Sequence, residues 1–283
     1  MYPVEKLLDE DLPPLLSEIA DPPPHLYIRG TLPPPDTKLV TFVGSRKMSQ
    51  YGKDACEHLI AGLADYPVAI VSGLAIGMDA VAHRAALKYG LPTLALPGSG
   101  INDDVLYPAS NKALAAEILR AGGALISEFE PDHRTMIHFF PQRNRIMAGM
   151  SHAVVIVEAG LKSGTLITAR LATDYNRELL VVPHPIFSDG GEGGHVFMKL
   201  GAQPVRSSSD ILQAVGIIEE KSMQTVSLTS EEQEVLALLQ EPMPRDELLY
   251  ELGIPTGEAN VLLAQMELRG LLAESLGNIR KLI

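Results

Sequence analysis

Four short stretches of this sequence carry groups that hold anions, three of them together with glycine. The first is Gly44-Ser45-Arg46, followed by Ser49 and Tyr51-Gly52. Glycine lets a backbone approach a phosphate closely, a helix start points N–H groups at it, and Arg offers a two-pronged donor that matches phosphate oxygens. A strand-to-helix turn needs glycine in any case, so this stretch alone leaves an anion site and a plain turn both open. The second, Ser72-Gly73-Leu74-Ala75-Ile76-Gly77-Met78-Asp79, runs into Ala82-His83. Asp79 and His83 stand four apart and share a helix face. A carboxylate at the positive end of a helix, with His83 bonded to it or to the next loop, accounts for the pair without an acid–base role. The third is His138-Phe139-Phe140-Pro141-Gln142-Arg143-Asn144-Arg145-Ile146. Arg143 and Arg145, with Arg134 upstream, suit phosphates; Asn144 suits a base edge or a loop, and Phe140 offers a ring for base stacking. Core packing of Phe139, Phe140 or both is the competing reading. The fourth is Glu158-Ala159-Gly160-Leu161-Lys162-Ser163-Gly164-Thr165. Here Lys162 is a point charge, and the amides of Ser163, Gly164 and Thr165 can meet an anion.

These stretches have to be positioned by regular elements. From Lys38 onward, short aliphatic runs at 39–43, 68–71, 93–96, 124–126, 153–157 and 179–182 read as strands, and 49–65, 77–89, 110–121 and 165–177 as helices. Strands with continuous apolar runs alternating with helices imply an α/β fold, an extended Rossmann-like parallel sheet covered on both faces. Ligands of such sheets bind at the carboxyl ends of the strands. The four stretches then fall on one edge, and a phosphodiester chain accounts for all of them together. Before this, Pro13-Pro14, Pro22 to Pro24 and Pro33 to Pro35 prevent a long helix and make residues 1–37 a lead-in or wrap. After Gly216 an acidic and polar stretch, Glu219 to Thr229, precedes helical segments at 230–240, 245–252 and 256–270. Residues 271–275 and 279–282 flank Gly277-Asn278 as a hairpin. Three helices and a two-stranded wing make a small C-terminal winged-helix-like domain. The expected division is a lead-in at 1–37, a Rossmann-like domain at 38–216, a linker at 217–228 and the winged-helix-like domain at 229–283.

The formal net charge of -12 over 283 residues argues against a polyanion until its distribution is read. Residues 1–37 hold 2 basic and 7 acidic side chains, residues 38–215 hold 16 and 16, and residues 216–283 hold 5 and 12. The excess lies at the ends, which leaves the middle able to carry a local basic groove. Residues 1–20 lack the basic head and apolar run of a signal peptide, and no stretch approaches the roughly 18 apolar residues of a membrane helix, so a cytoplasmic protein without membrane contact is expected. The single cysteine, Cys56, excludes an internal disulfide and reads as a packed helix residue. No metal site is indicated: His133 and His138 are five apart on an expected loop, His184 and His195 have no evident ligand partners, and His25, His58 and His152 read as structural or solvated. The fourth stretch lacks the Gly-Lys-Ser/Thr ending of an ATP-binding loop, and no Gly-x-Gly-x-x-Gly follows the first strand, so neither ATP nor a dinucleotide is indicated.

Taken in order, Val-Gly-Ser-Arg at 43–46, Ser-Gly-Leu-Ala-x-Gly-x-Asp-x-x-Ala-His at 72–83, Tyr107-Pro108, Ser127-Glu128, Phe-Pro-x-Arg-Asn-Arg-Ile at 140–146 and Glu-Ala-x-x-x-Ser-Gly-Thr-Leu-x-Thr-Ala at 158–169 resemble the DprA (Smf) family. The likeness runs from about Asp21 to Asp210. The resemblance implies a cytoplasmic, homodimeric bacterial protein of natural transformation (competence) and DNA recombination. Such a protein binds and protects single-stranded DNA and loads the RecA recombinase onto it, with no catalytic residue, cofactor or metal. Carried onto this chain, it implies strand contacts from Gly44, Ser45, Arg46, Phe140, Arg143, Asn144, Arg145, Lys162, Ser163 and Gly164. Ser72, Gly73, Gly77, Asp79 and His83 would shape the pocket. The chain departs from the family pattern at Ile76, where many relatives have Arg, and at Pro183-His184 and Gly194-His195-Val196-Phe197-Met198. The N-terminal helical domain common in the family is expected to be absent or reduced to a remnant in residues 1–20.

Two other functions compete. Glu158 beside Gly160 and Gly164-Thr165 partly echoes nucleotide phosphoribohydrolases, but the Pro-Gly-Gly lead and the downstream glutamate are missing, and Thr168-Ala169-Arg170 stands there. A duplex-DNA regulator would read DNA with residues 256–269, which offer only Arg269 against Glu258 and Glu267. That surface repels phosphate and fits protein contact or an interdomain brace better.

Overall fold

The computed structural model describes residues 2–8, 11–217, 228–239, 241–269, 271–275 and 277–281. The chain divides into two units, Met1–Glu219 and Glu220–Ile283. Apart from its first and last residues, the segment 217–228 read as a linker lies outside the described residues, as does the final part of the last expected strand.

The first unit runs β1 (Val4–Leu7), β2 (Leu26–Gly30), β3 (Lys38–Gly44), α1 (Gln50–Ala61), β4 (Val68–Ser72), α2 (Met78–Lys88), β5 (Thr93–Ala95), α3 (Lys112–Arg120), β6 (Ala124–Ser127), α4 (Phe139–Met150), β7 (Ala153–Glu158), α5 (Thr165–Asp174), β8 (Glu178–Val181), α6 (Glu192–Lys199), β9 (Gln203–Pro204) and α7 (Ser208–Ala214). The strands form one sheet in the order β1-β2-β6-β5-β4-β3-β7-β8-β9. Neighbours from β6 to β9 are parallel, whereas β1 and β2 are added antiparallel at the β6 edge.

Side-chain alternation along β3 shows why both faces are covered. Leu39 and Val43 pack with α4, α5 and α6 on one face, and Val40 and Phe42 pack with α1, α2 and α7 on the other. Cys56 lies within the second of these layers, and burial pushes its thiol far above the ordinary range.

The structure differs from the sequence reading in two places that matter for the site. The lead-in is not only a wrap, because its β1 and β2 widen the sheet. The third stretch, which falls outside the helices expected from the sequence, is not a loop: Phe139–Met150 form helix α4. Pro141 is tolerated there because it falls in the first turn, where the backbone N–H groups have no intrahelical acceptor.

The second unit comprises α8 (Ser230–Leu238), β10 (Met243–Pro244), α9 (Arg245–Glu251), α10 (Thr256–Leu268), β11 (Leu272–Ser275) and β12 (Asn278–Lys281). Its core gathers Val235, Leu248, Leu263, Met266 and Ile279, and β10, β12 and β11 form the wing. Two of its cations are committed internally: Arg245 reaches Glu274 at 2.6 Å, and Arg269 pairs with Glu232, while Arg280 and Lys281 on β12 are exposed. Among the described residues of the chain, no helix is long and apolar enough to cross a membrane.

Candidate nucleic-acid interface

The strand order reverses at β3. From there the chain builds β4, β5 and β6 on one side, then returns to place β7 and β8 on the other. Loops leaving two adjacent parallel strands in opposite directions leave a crevice between them, and ligands of such sheets occupy it. A register shift between Val43 and Gly44 in the β3–β7 pairing lies at this point, and a bulge of this kind re-aims the residues that follow it. The crevice is a cleft of about 450 Å3. Gly44, Ser45 and Arg46 line it from the first stretch, Ala75 and Asp79 from the second, Phe140, Arg143 and Asn144 from α4, and Gly160 with Lys162 to Thr165 from the fourth.

Two cations, Arg46 and Lys162, are exposed. Arg46 lies 5.4 Å from the centroid of the half-buried Phe140 ring. Phe140 also sits 6.0 Å from Tyr107, centroid to centroid, and fits where Gly98 has no Cβ. Phe139 is buried and stacks on Phe129 at 3.6 Å, so core packing applies to Phe139 and not to Phe140.

The helix starts beside the crevice are not equivalent. At α1, Ser49 caps Gly52 N–H at 3.0 Å, and Glu158 accepts from the Ser49 hydroxyl at 2.7 Å and from its amide at 3.0 Å. An internal carboxylate already fills that helix start, and Glu158 does not line the cleft. At α5 no acidic side chain occupies the first turn: the Ser163 hydroxyl accepts from Thr165 N–H at 3.2 Å, the Ser163 and Gly164 carbonyls accept from Leu166 and Ile167 N–H at 3.1 Å, and Ser163 N–H donates to the Gly160 carbonyl at 3.0 Å. The positive end of α5 thus remains available to an anion beside Lys162.

Other residues named from the sequence lie behind this surface. Arg143 is 7% exposed. It donates to the carbonyls of Gly73 and Leu96, and its Nε donates to Asn144 Oδ1 at 3.1 Å. It is a brace tying α4 to the ends of β4 and β5, rather than a side chain extended toward solvent. Asp79 accepts from Ala75 N–H at 3.1 Å. Burial pushes its carboxyl up, against the pull of Arg143, the Ala75 N–H, Ser72 and Arg46. His83 is fully buried and bonds Thr93 Oγ1 at 2.8 Å. Its imidazole is pushed down to about 3, first by burial and then by Arg143 and Arg84, so it is neutral. Ser72 donates to the Phe42 carbonyl at 2.7 Å.

Gly77 has φ +86°, and a Cβ there would lie 2.5 Å from the Arg46 carbonyl oxygen, so only glycine lets the second loop support the first. Arg145 is not brought to the cleft. It pairs with Glu128 and reaches the Asp21 carbonyl at 2.7 Å. Sequence reasoning missed Asn111, whose side-chain amide donates to the carbonyls of Leu74 and Ala75 at 2.9 and 3.1 Å and fixes the second loop from outside. It assigned no role to Tyr107, although Tyr107-Pro108 stood among the motifs. No group of three or more His, Cys, Asp or Glu side chains that could hold a metal ion is present among the described residues.

Comparison with known proteins agrees with this architecture. Residues 4–216 match the family model of DNA recombination-mediator protein A, and residues 219–278 match that of the DprA winged helix domain. Protein Smf of Escherichia coli (strain K12) is 37% identical over 275 residues, 93% of this chain and 73% of that protein. DNA processing protein DprA of Streptococcus pneumoniae is 38% identical over 211 residues, 75% of this chain and 73% of that protein. The solved structure of DprA from Streptococcus pneumoniae superposes with a TM-score of 0.68 at 37% identity, covering 75% of this chain and 74% of that one. DNA processing protein A from Helicobacter pylori, whose structure addresses its single-stranded DNA binding mode, superposes with a TM-score of 0.66 at 30% identity, covering 76% of this chain and 96% of that one. With a Rossmann-like sheet carrying a basic cleft at its reversal point and a winged helix domain behind it in sequence, the chain belongs to the DprA (Smf) family.

Proposed function

We propose that this protein binds single-stranded DNA in the cleft between β3 and β7, by contact alone and without covalent chemistry. One observation carries the reading: two exposed cations, a helix start without a carboxylate and a half-buried aromatic ring meet in a single cleft at the reversal point. Phosphates suit Arg46, Lys162 and the backbone of Gly44, Ser45, Ser163 and Gly164, and an unpaired base suits the Phe140 ring. A paired base has its faces occupied by its neighbours, so a stacking ring favours a single strand. Asn144 lines the cleft although largely buried, and its side-chain amide suits a base edge while its Oδ1 accepts from Arg143 Nε. Arg143 acts by holding the loops, and Arg145 lies outside the contact set.

The DprA relatives and the single-strand binding mode described for the Helicobacter pylori protein support this choice of ligand. The same kinship supports a finer reading: a cytoplasmic homodimer that shields incoming strands and loads RecA onto them. In that reading residues 38–216 bind DNA, and residues 229–283, which carry more acidic than basic side chains and whose Arg245 and Arg269 are already paired, serve protein contact.

The test is fluorescence anisotropy with labelled oligothymidine over a range of salt. Arg46→Ala and Lys162→Ala should each weaken binding and flatten the log–log salt slope by about 0.7, the share of one neutralised phosphate on a single strand. Unchanged affinity and slope in the double variant would remove the cleft as the binding site.

A further inference from the structure

The loop joining β8 to α6 presents two large apolar side chains to water at the same edge of the sheet. Ile186 is 78% exposed and Phe187 93%. The Ser188 amide donates to the Pro185 carbonyl at 3.0 Å, closing a four-residue turn with Ile186 and Phe187 as its central pair. Central turn positions favour Gly, Asn, Asp, Ser or Pro. Adjacent large apolar residues there, unlike a single exposed Leu, point to a surface that meets something.

The turn is also firmly held. The Tyr51 hydroxyl donates to the Pro183 carbonyl at 2.7 Å, and the Tyr51 ring meets His184 edge-on at 5.0 Å. His195 Nε2 bonds the His184 carbonyl at 3.0 Å, and Ala159 N–H donates to the Gly190 carbonyl at 2.7 Å. A tip fixed at both ends needs little further ordering when it binds.

Its position continues the cleft. The loops that line the cleft leave β4, β3 and β7 in that spatial order, and β8 is the next strand, about 4.8 Å further on. The Asp189 carbonyl abuts Gly160, a cleft residue, at 3.2 Å from where a Cβ would stand. Between Pro183 and Glu192 there is no Lys or Arg, whereas Asp189 and Glu192 are acidic and exposed. Such a loop repels a phosphate and can take only the base of a nucleotide.

We infer that Phe187, with Ile186 beside it, forms a second stacking platform for an unpaired base where the strand leaves the cleft past Lys162. This rests on the single-strand reading given above and extends the bound length by one loop.

The experiment compares oligothymidines of about four and about twelve nucleotides on the full chain. Phe187→Ala should bind the longer one at least about fivefold more weakly, the lower end of one base–aromatic stack, and bind the shorter one as the parent does. The chain has no Trp, so Phe187→Trp supplies a unique fluorophore, which the longer oligonucleotide should quench and the shorter should not. Parental affinity of Phe187→Ala for both lengths, or an unquenched Trp, overturns the platform while leaving the cleft intact. Loss of self-association by sedimentation, with no change in affinity for the longer strand, also overturns it and makes the tip a protein contact. A parent chain that binds neither length fails the cleft itself.

Discussion

Replacing Arg143 should damage the protein in a different way from replacing Arg46, although both arginines line one cleft. Arg143→Ala removes a buried guanidinium from the carbonyls of Gly73 and Leu96 and leaves Asp79, itself buried, with only the weaker pull of Arg46 among the cations that oppose its desolvation. The upper bound for removing one of two coupled buried charges is the cost of breaking a buried ion pair, about 3–5 kcal/mol. Counting the same loss as two hydrogen bonds to a charged group, at about 1.5–3 kcal/mol each, gives a similar range. Asp79 can relieve its burial by taking up a proton, which favours the lower end, about 3 kcal/mol. Urea unfolding followed by far-UV circular dichroism, paired with oligothymidine anisotropy, separates the two roles. Arg143→Ala should unfold at markedly lower urea and bind weakly because its loops have shifted. Arg143→Lys should fall between, since one ammonium cannot hold both carbonyls as a planar fork does. Arg46→Ala should keep parental unfolding and lose salt slope. If Arg143→Ala is as stable as the parent and its slope drops by about 0.7, Arg143 is a phosphate ligand and the brace is wrong.

Two further outcomes follow from the burial of His83 and from the division of the chain into two units. His83 is held near 3 in the folded protein against an ordinary 6.5, so the unfolded chain takes up a proton that the folded one refuses. Its contribution is therefore complete above about pH 6.5 and is lost as the pH falls toward 3. Between pH 7 and pH 5 linkage puts the loss at about 2 kcal/mol. Comparing urea midpoints of the parent and His83→Gln at the two pH values isolates this share from the opposite effect of Asp79, and equal pH dependence in the two proteins would refute it. Deleting residues 222–283 should leave oligothymidine affinity within about twofold of the parent, a difference of only ~0.4 kcal/mol, because every residue lining the cleft belongs to the first unit. A large loss in the anisotropy titration would give the second unit a direct part in binding.

The sheet was legible because a strand buried on both faces is written as an unbroken apolar run, as in 39–43 and 153–157. β1 and β2 were not, since four and five residues among proline clusters carry no periodicity, and their pairing to each other and to β6 is decided over long sequence separations. Helix α4 was hidden by Pro141 and by the polar run Gln142 to Arg145, which mimic a loop until the first-turn position of the proline is known. Glycine and the exposed cations announced the cleft, because close approach and charge are properties of residue type. The division of labour among the arginines was not announced. Arg143 is a brace because carbonyls 70 and 47 residues away face it, and Arg145 turns away from the cleft because Glu128 lies beside it. Composition carries no trace of either. The departures at His184 and His195 likewise acquire meaning only in three dimensions, where each ring secures the turn that carries Phe187.

The flanks of the nine-stranded sheet limit how copies of this protein can meet. One flank is β1, four residues long, with Glu5 and Lys6 exposed at its middle. The other is β9, two residues long, in which Pro204 has no N–H to donate. Short, charged or proline-bearing margins give an incoming strand almost no ladder to extend. Association by continuing the sheet from one molecule into the next is thereby discouraged. Any pairing of subunits is left to helix faces and loops, where side-chain fit rather than backbone hydrogen bonding sets the partner.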